Sequence, residues 1–400
     1  MLFDPGSGVV VPSGSPGARS CDETVKVANL NAALGGCGPG TVWNPNTGAA
    51  FAEQNDSANY ASIIRDLPDH CFMWQERQPG GFTPQFGGDV LDQSIGTGFR
   101  GTLENGWFWD ASIVHGTSEA VYFINNTVNP QVWSLIYVQG GDPVTTPVDY
   151  KPGAYAEADT VLNAEVSKPL DIASFYGDLN VAAGIEYRRE TFTIMQGGVN
   201  SWFIDNRERG LAFQGFWIGS NGFAGFPFSD AGENSIAAGA MYLDLEGDFT
   251  EAVKLGGALR YENYDLYGTT VDGKVTGRME ISDDMAIRGA FSTGFRVPTG
   301  GQANLRNVTT EFTDGKLADI ATLPPTNPVA IQKGAQELIP ETSTNLTLGL
   351  AWSLDQADIT FDFYSIQIKD RIAFTSRFAL TAQDIEDLLE AGVEDATSFS

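Results

Sequence analysis

Two observations predict an all-β chain, segments of strict two-residue alternation and connectors that alternate short and long; the lack of any apolar run of 18 or more residues argues against a membrane-spanning helix and leaves a β-barrel open. The architecture they imply is an antiparallel up-and-down transmembrane β-barrel, here an incomplete barrel of about ten strands with long extracellular loops. The clearest segment is 284–296. Met285, Ile287, Phe291 and Phe295 fall on one parity, and Ala286, Arg288, Ala290, Ser292 and Arg296 on the other. A strand sends successive side chains to opposite faces, so one face is greasy and the other small, polar and cationic. The segment is long beside the usual strand of about 5–6 residues, but suits a tilted membrane strand of roughly 9–11. A soluble β-sandwich or β-helix is the competing architecture; it would scatter its loop lengths over both ends and use shorter strands.

The remaining strands follow in order. Segments 92–103 and 107–115 are joined by the tight Glu104-Asn105-Gly106, and a long connector, 116–156, comes next. Segments 157–168 and 178–190 form the second pair; Leu179, Val181, Ala183, Ile185 and Tyr187 oppose Asp178, Asn180, Glu186, Arg188 and Glu190. After the connector 192–234 come 235–249 and 253–264, with Leu243 and Leu255 on the apolar parity and Asp244 and Arg260 on the polar one. Segment 272–281 turns through Ser282-Asp283 into 284–296, and after the connector 298–341 the pair 344–354 and 357–370 turns through Asp355-Gln356. Ile359, Phe361 and Phe363 set a parity that Tyr364, Ile366 and Ile368 contradict, which predicts a bulge near Phe363. Short turns on one side and long loops on the other are the asymmetry of outer-membrane barrels.

Flanking the strand region 91–371, residues 1–90 read as a loop-rich extracellular segment, with Pro, Gly, Asn and Ser clusters and no sustained period. Residues 372–400 read as a further loop carrying one short helix, capped by Thr381 and Asp384 with Ile385, Leu388 and Leu389 on one face. The three cysteines are Cys21, Cys37 and Cys71; in an oxidising compartment Cys21–Cys37 is the expected disulfide, with Cys71 left over. The first residues, Met-Leu-Phe-Asp-Pro-Gly, contain neither a basic nor an apolar signal region, although an outer-membrane protein needs one. No strand reads as a terminal one, so the expectation is the middle of a longer barrel: a curved open sheet that does not close on itself.

Several stretches in order resemble one family. They are "Arg-Gly-Ala-Phe-Ser-Thr-Gly-Phe-Arg-Val-Pro-Thr" at 288–299, "Leu-Ile-Pro-Glu-Thr-Ser-Thr-Asn" at 338–345 before Leu348-Gly349-Leu350, the run from Phe82 to Val90, and "Asn-Asn-Thr-Val-Asn-Pro" at 125–130. With "Ala-Ala-Gly-Ile-Glu-Tyr-Arg" at 182–188 and "Ala-Leu-Arg-Tyr-Glu" at 258–262, they resemble the barrels of TonB-dependent outer-membrane receptors. The resemblance implies a cell outer-membrane location, contact with outer-membrane lipid, and a barrel that in such transporters is 22-stranded with a plugged lumen. It further implies energised import of a scarce nutrient or metal complex, such as a ferric siderophore. The partner would be the TonB energy-transducing complex, reached through an N-terminal segment this sequence does not show. A passive pore or adhesive surface barrel without energy coupling is the alternative.

The net charge of −28 and a pI near 4.2 argue against nucleic acid as a partner. Neither His70 nor His115 belongs to a catalytic or zinc motif, so no enzyme activity, cofactor or metal is expected. His115 reads as an interfacial residue ending its strand. The acidic loops lack the one-three-five spacing of a calcium loop. The best ligand candidate is the aromatic connector 201–228, where Trp202, Arg207, Arg209 and Trp217 suit a planar or anionic ligand. The competing reading is that these aromatics pack the loop onto its neighbours. Arg188, Arg260, Arg288 and Arg296 are expected to face the lumen, most simply as part of an inter-strand ion network.

Overall fold

The computed structural model describes residues 2–4, 9–11, 25–38, 41–43, 50–52, 66–78, 81–313 and 316–391. Six short strands come first: Leu2–Asp4 (β1), Val9–Val11 (β2), Val25–Asn29 (β3), Thr41–Trp43 (β4), Ala50–Ala52 (β5) and Cys71–Phe72 (β6). β1 and β2 form a hairpin, and the other four form a small sheet ordered β4-β5-β3-β6. Eight long strands follow: Gln85–Thr102 (β7), Phe108–Asn125 (β8), Tyr150–Leu170 (β9), Leu179–Met195 (β10), Gly232–Thr250 (β11), Val253–Tyr264 (β12), Gly268–Ser282 (β13) and Met285–Arg296 (β14). A hairpin, Asn307–Thr313 (β15) and Lys316–Thr322 (β16), precedes the last two, Glu341–Leu354 (β17) and Ala357–Lys369 (β18).

The long strands make one 10-stranded antiparallel sheet in chain order, running from β7 through β14 and then β17 to β18. The turns at 103–107, 171–178, 251–252, 283–284 and 355–356 lie at one end, and the connectors 126–149, 196–231 and 297–340 at the other. β7 and β18 end the sheet, and no ladder joins them among the described residues. The expected open sheet is found.

Cross-strand partners share a face, so the registers sort the side chains. Leu243 stands opposite Leu259, Ile287 opposite Met279 and Leu350, and Phe291 opposite Val275 and Leu346. This face is apolar and open: Ile95, Phe99, Ile185, Val275 and Phe361 are each more than 60% exposed. A contiguous apolar surface of that extent marks a lipid or protein contact. Asp244, Arg260, Arg288 and Arg296 lie on the opposite face.

Several expectations are corrected. The connector predicted at 116–156 is strand at both ends, because Gly116, Thr117 and Ala120 continue to pair with Asp159, Ala158 and Tyr155. Main-chain ladders need no apolar alternation, so the sequence pattern faded before the strands did. His115 is therefore mid-strand, bonded through Nδ1 to Thr160 Oγ1 at 2.9 Å. β7 begins at Gln85, inside the segment read as loop, and that segment also holds the small sheet. No bulge interrupts β18: its register with β17 runs unbroken from Thr342↔Lys369 to Leu354↔Ala357. The apolar residues change faces halfway along a regular strand instead.

The disulfide joins Cys37 to Cys71, not to Cys21, which lies outside the described residues. Pairing of Ala28 with Phe72 and Asn29 with Cys71 draws β6 beside β3, and the short Asn31–Cys37 turn then brings Cys37 back to it. Chain pairing rather than loop length chose the partner.

The facing assignment is measurable. Ile287→Arg is expected to destabilise the folded chain by about 2–4 kcal/mol in bilayer-folding titrations if it sits near the midplane. Ser292→Arg, on the opposite face, is expected to cost far less. Equal penalties would contradict the assignment.

Candidate functional site

On the polar face a single rung crosses seven strands: Arg100, Asp110, Glu165, Gly184, Tyr242, Arg260 and Asp272. Tyr242 lies across Gly184 and donates to Glu165 at 2.7 Å. A Cβ at Gly184 would meet the Tyr242 ring at 2.6 Å, so only glycine permits the crossing. Arg260 pairs with Glu262 on its own strand and with Glu186 two strands away at 3.2 Å, while the Tyr264 hydroxyl donates to Glu262 at 2.8 Å. Nearer the short turns, Arg288 reaches over Gly349 to bond both oxygens of Asp362, at 2.7 and 2.9 Å. Arg278 pairs with Glu280 at 2.6 Å. These pairs are partly open to solvent, where each contributes about 0–1 kcal/mol; those that cross strands, Arg260–Glu186 and Arg288–Asp362, favour the observed register. Arg188 and Arg296 share the face, opposite Ala238 and Glu341.

Toward the long connectors the same face turns apolar, with Phe86, Tyr122, Ile124, Tyr155, Phe192 and Ile194. Connector 196–231 folds over it. Phe223 stacks on Phe86 with centroids 4.6 Å apart, and Phe226 lies 4.8 Å from Tyr155. Connector 297–340 joins them: Gly300 N donates to Glu190 at 3.3 Å, Tyr155 donates to the Arg306 carbonyl at 2.6 Å, and Arg306 pairs with buried Asp230 at 2.6 Å. The loops thus form a cap over the polar face.

A second apolar cluster builds the rest of the cap from four chain segments: Ala28 and Leu30, Phe72, Val128 and Trp133, and Leu211 and Phe216. Phe72 meets Trp133 edge-on at 4.8 Å. Buried loops must still satisfy their peptide groups, and here side-chain amides do so. Gln131 donates to the carbonyls of Phe216 and Trp217 at 3.1 and 2.9 Å and accepts from Asp205 N at 3.1 Å. Asn129 donates to the carbonyls of Asn200 and Phe203. Gln214 donates to the Asn29 carbonyl at 2.7 Å and accepts from Asn29 N at 3.1 Å. Sequence reasoning missed all three; the available signal was uncharged amides lodged among aromatics.

The four ligand candidates separate. Trp202 donates its indole N–H to the Gly197 carbonyl at 2.9 Å, and Trp217 packs against the second cluster with its indole nitrogen buried and without an acceptor. Both are parts of the cap. Phe216, Phe223 and Phe226 of the same connector are buried, which supports packing over ligand contact for them; Phe203 is half-buried, and Phe213 and Phe228 are exposed. Arg207 and Arg209 are exposed, and Arg207 is gripped by buried Asp205 at 2.6 and 2.9 Å. Burial pushes the Asp205 carboxyl up, but the Arg207 guanidinium and the Leu211 N–H outweigh it and hold it below its ordinary value. No ring or cation–π contact joins the four candidates among the described residues.

A family model described as TonB dependent receptor-like, beta-barrel, matches residues 29–384. No curated protein matches. Among solved structures, the chain is similar to the siderophore receptor PirA from Pseudomonas aeruginosa, at 12% identity and a TM-score of 0.40, covering 70% of this chain and 46% of that one. It is also similar to a mutant of the ferric enterobactin receptor PfeA of the same organism, at 13% and 0.46, covering 70% and 35%. For the RagAB peptide transporter the values are 14% and 0.45, covering 76% and 33%. The chain spans less than half the length of each.

Two outcomes are expected of the cap. Because the folded Asp205 value is depressed, its contribution is complete above the ordinary aspartate value of 3.8 and disappears as pH falls through the folded value. Amide exchange at Leu211 should accelerate in that acid window, and Asp205→Asn should remove the step. The disulfide spans 34 residues, so Cys71→Ser should cost about 3–4 kcal/mol in chemical denaturation of the cap; an unchanged midpoint would show that the cap does not depend on it.

Proposed function

This chain belongs to the TonB-dependent receptor β-barrel family, and from that membership we propose that it supplies wall and outer cap to a receptor importing a scarce nutrient, such as a ferric siderophore, by energised transport. The family is one of outer-membrane β-barrels, and no described helix is long and apolar enough to cross a membrane. In this reading the open apolar face meets lipid and the polar face lines the lumen, so that Arg188, Arg260, Arg288 and Arg296 face inward. The cap lies at the extracellular end. No bond of the substrate is made or broken.

One observation carries the reading: the long connectors do not splay outward but fold over the polar face, with Phe223 and Phe226 seated on strand aromatics. A passive pore needs an open path along that face. A roof over it suits a receptor that first binds its cargo and then opens on demand. Trp202, Arg207, Arg209 and Trp217 belong to that roof, the arginines on its surface and the tryptophans beneath. The TonB complex supplies the energy for opening.

The test is uptake. Cells carrying the intact receptor as their sole route for a radiolabelled ferric siderophore should accumulate it only while the TonB complex is present and the inner membrane is energised. Accumulation that persists after TonB deletion, and rises linearly with concentration, would favour a passive pore instead.

A further inference from the structure

We infer that one rung on the apolar face of the sheet is a headgroup site for a phosphate-bearing membrane lipid, with Arg189 as its main ligand and His115 and Thr160 beside it. The inference rests on the outer-membrane reading, which gives this face to lipid. The registers of β7 to β11 align Ile95, His115, Thr160, Arg189 and Ala237 in that rung. Toward the short turns, the next rung on the same face holds Thr97, Ile113, Leu162 and Tyr187, and the one after it Phe99, Ala111, Ala164 and Ile185. None of these is charged. Toward the long connectors the following rung is Gln93, Thr117, Ala158, Thr191 and Ser235. The rung of His115 and Arg189 is therefore where the apolar band stops, and both side chains are exposed.

The rung is rich in donors and poor in carboxylates. Arg189 Nη2 donates to Ser235 Oγ at 3.3 Å, and Ser235 Oγ lies 2.9 Å from Thr191 Oγ1. A guanidinium carries five N–H donors, and one is used here. Arg189 makes no ion pair among the described residues. His115 Nδ1 lies 2.9 Å from Thr160 Oγ1; accepting that hydroxyl leaves Nε2 as an N–H donor. Asp159 and Glu190 belong to the opposite face. On this face Glu119 and Glu233 stand two rungs farther out, roughly 13 Å along the strands and beyond the screening length of about 8 Å. Asp265, where the rung would continue past Ala237, accepts from Ala237 N at 3.1 Å.

These neighbours select an amphiphile. A chain of net charge −28 has no long-range field to gather free anions, so an anion must be carried to the rung by something else. The band directly beneath it, with Tyr187, Leu162 and Ile113, is a surface for an acyl chain, and a chain lying there delivers its headgroup to Arg189. An arginine that only marked the edge of the band would extend into water. This one is tethered sideways to Ser235, within the rung. Across Thr160, His115 and Arg189 are two strands apart, roughly 10 Å, so a phosphate above Thr160 meets a guanidinium fork on one side and an imidazole N–H on the other.

The test is lipid retention. The intact receptor is reconstituted in equal parts dioleoyl phosphatidic acid and dioleoyl phosphatidylcholine, extracted, and its bound lipids are counted by native mass spectrometry. Wild type is expected to retain phosphatidic acid preferentially, and Arg189→Gln to lower that preference about fivefold. His115→Ala should lower it by a smaller factor. Arg188→Gln, one residue away on the opposite face, should leave it unchanged. Inorganic phosphate, titrated calorimetrically, should not bind saturably, because it has no chain to lie on the band. Equal retention of the two lipids, or an unchanged preference in Arg189→Gln, would overturn the inference, as would saturable phosphate binding without lipid preference. Loss in Arg188→Gln but not Arg189→Gln would reverse the two faces and sink the receptor reading with it. Unequal penalties for Ile287→Arg and Ser292→Arg beside an unaltered Arg189→Gln would leave that reading standing and remove this site alone.

Discussion

Partners across an antiparallel rung share a face, successive residues do not, and almost every other feature of this chain depends on that constraint. The apolar face and the charged rungs are two consequences of one parity, carried across the ten-stranded sheet except where the apolar residues of β18 change faces. At two places where a rung carries a long side chain across a neighbour, the neighbour is glycine. Gly184 lets Tyr242 reach Glu165, and Gly349 lets Arg288 reach Asp362. A one-residue slip at either strand would place these charges on the apolar face, so register and electrostatics support one another.

The cap answers a different problem. Long connectors that fold inward bury peptide groups with no ladder to receive them. Asn129, Gln131 and Gln214 act as a substitute ladder, each bridging segments far apart in the chain, while aromatic stacking supplies the apolar burial. The disulfide ties Cys37 to Cys71 within the N-terminal segment, beside Phe72, which lies in the same core. Arg207 is where this scaffold surfaces: the network runs from Gln131 to the backbone of Asp205, from its carboxylate to the guanidinium, and from there to solvent. Wall and cap therefore couple through Phe192, Glu190 and Tyr155, strand residues that touch the connectors directly.

The strands were legible from the residues because half of each is apolar at fixed spacing. Segments 253–264 and 357–370 coincide with β12 and β18 almost to the residue. Legibility failed where the environment of a strand changes along its length. In β8 and β9 the pairing continues past Gly116 through residues whose apolar and polar side chains no longer alternate, and in β18 Tyr364, Ile366 and Ile368 exchange faces without a bulge. The cysteine pairing failed for a related reason. Cys37 and Cys71 are distant in the chain and neighbours only because β3 pairs with β6.

What the amino-acid order determined by itself was local and periodic: the strands, the tight turns at one end, the two faces, the short helix capped by Thr381, and the family. Each rests on spacing within a few residues, so each can be read without knowing what else is near. What only the tertiary structure decided was the direction in which the long loops fold and, with it, which of the candidate residues are free. Trp202 and Trp217 became half-buried parts of the cap, and Arg207 remained open on a buried carboxylate. Those outcomes depend on contacts between segments many tens of residues apart, whose closure is set by the burial of aromatics and the pairing of amides rather than by any repeating pattern in the chain.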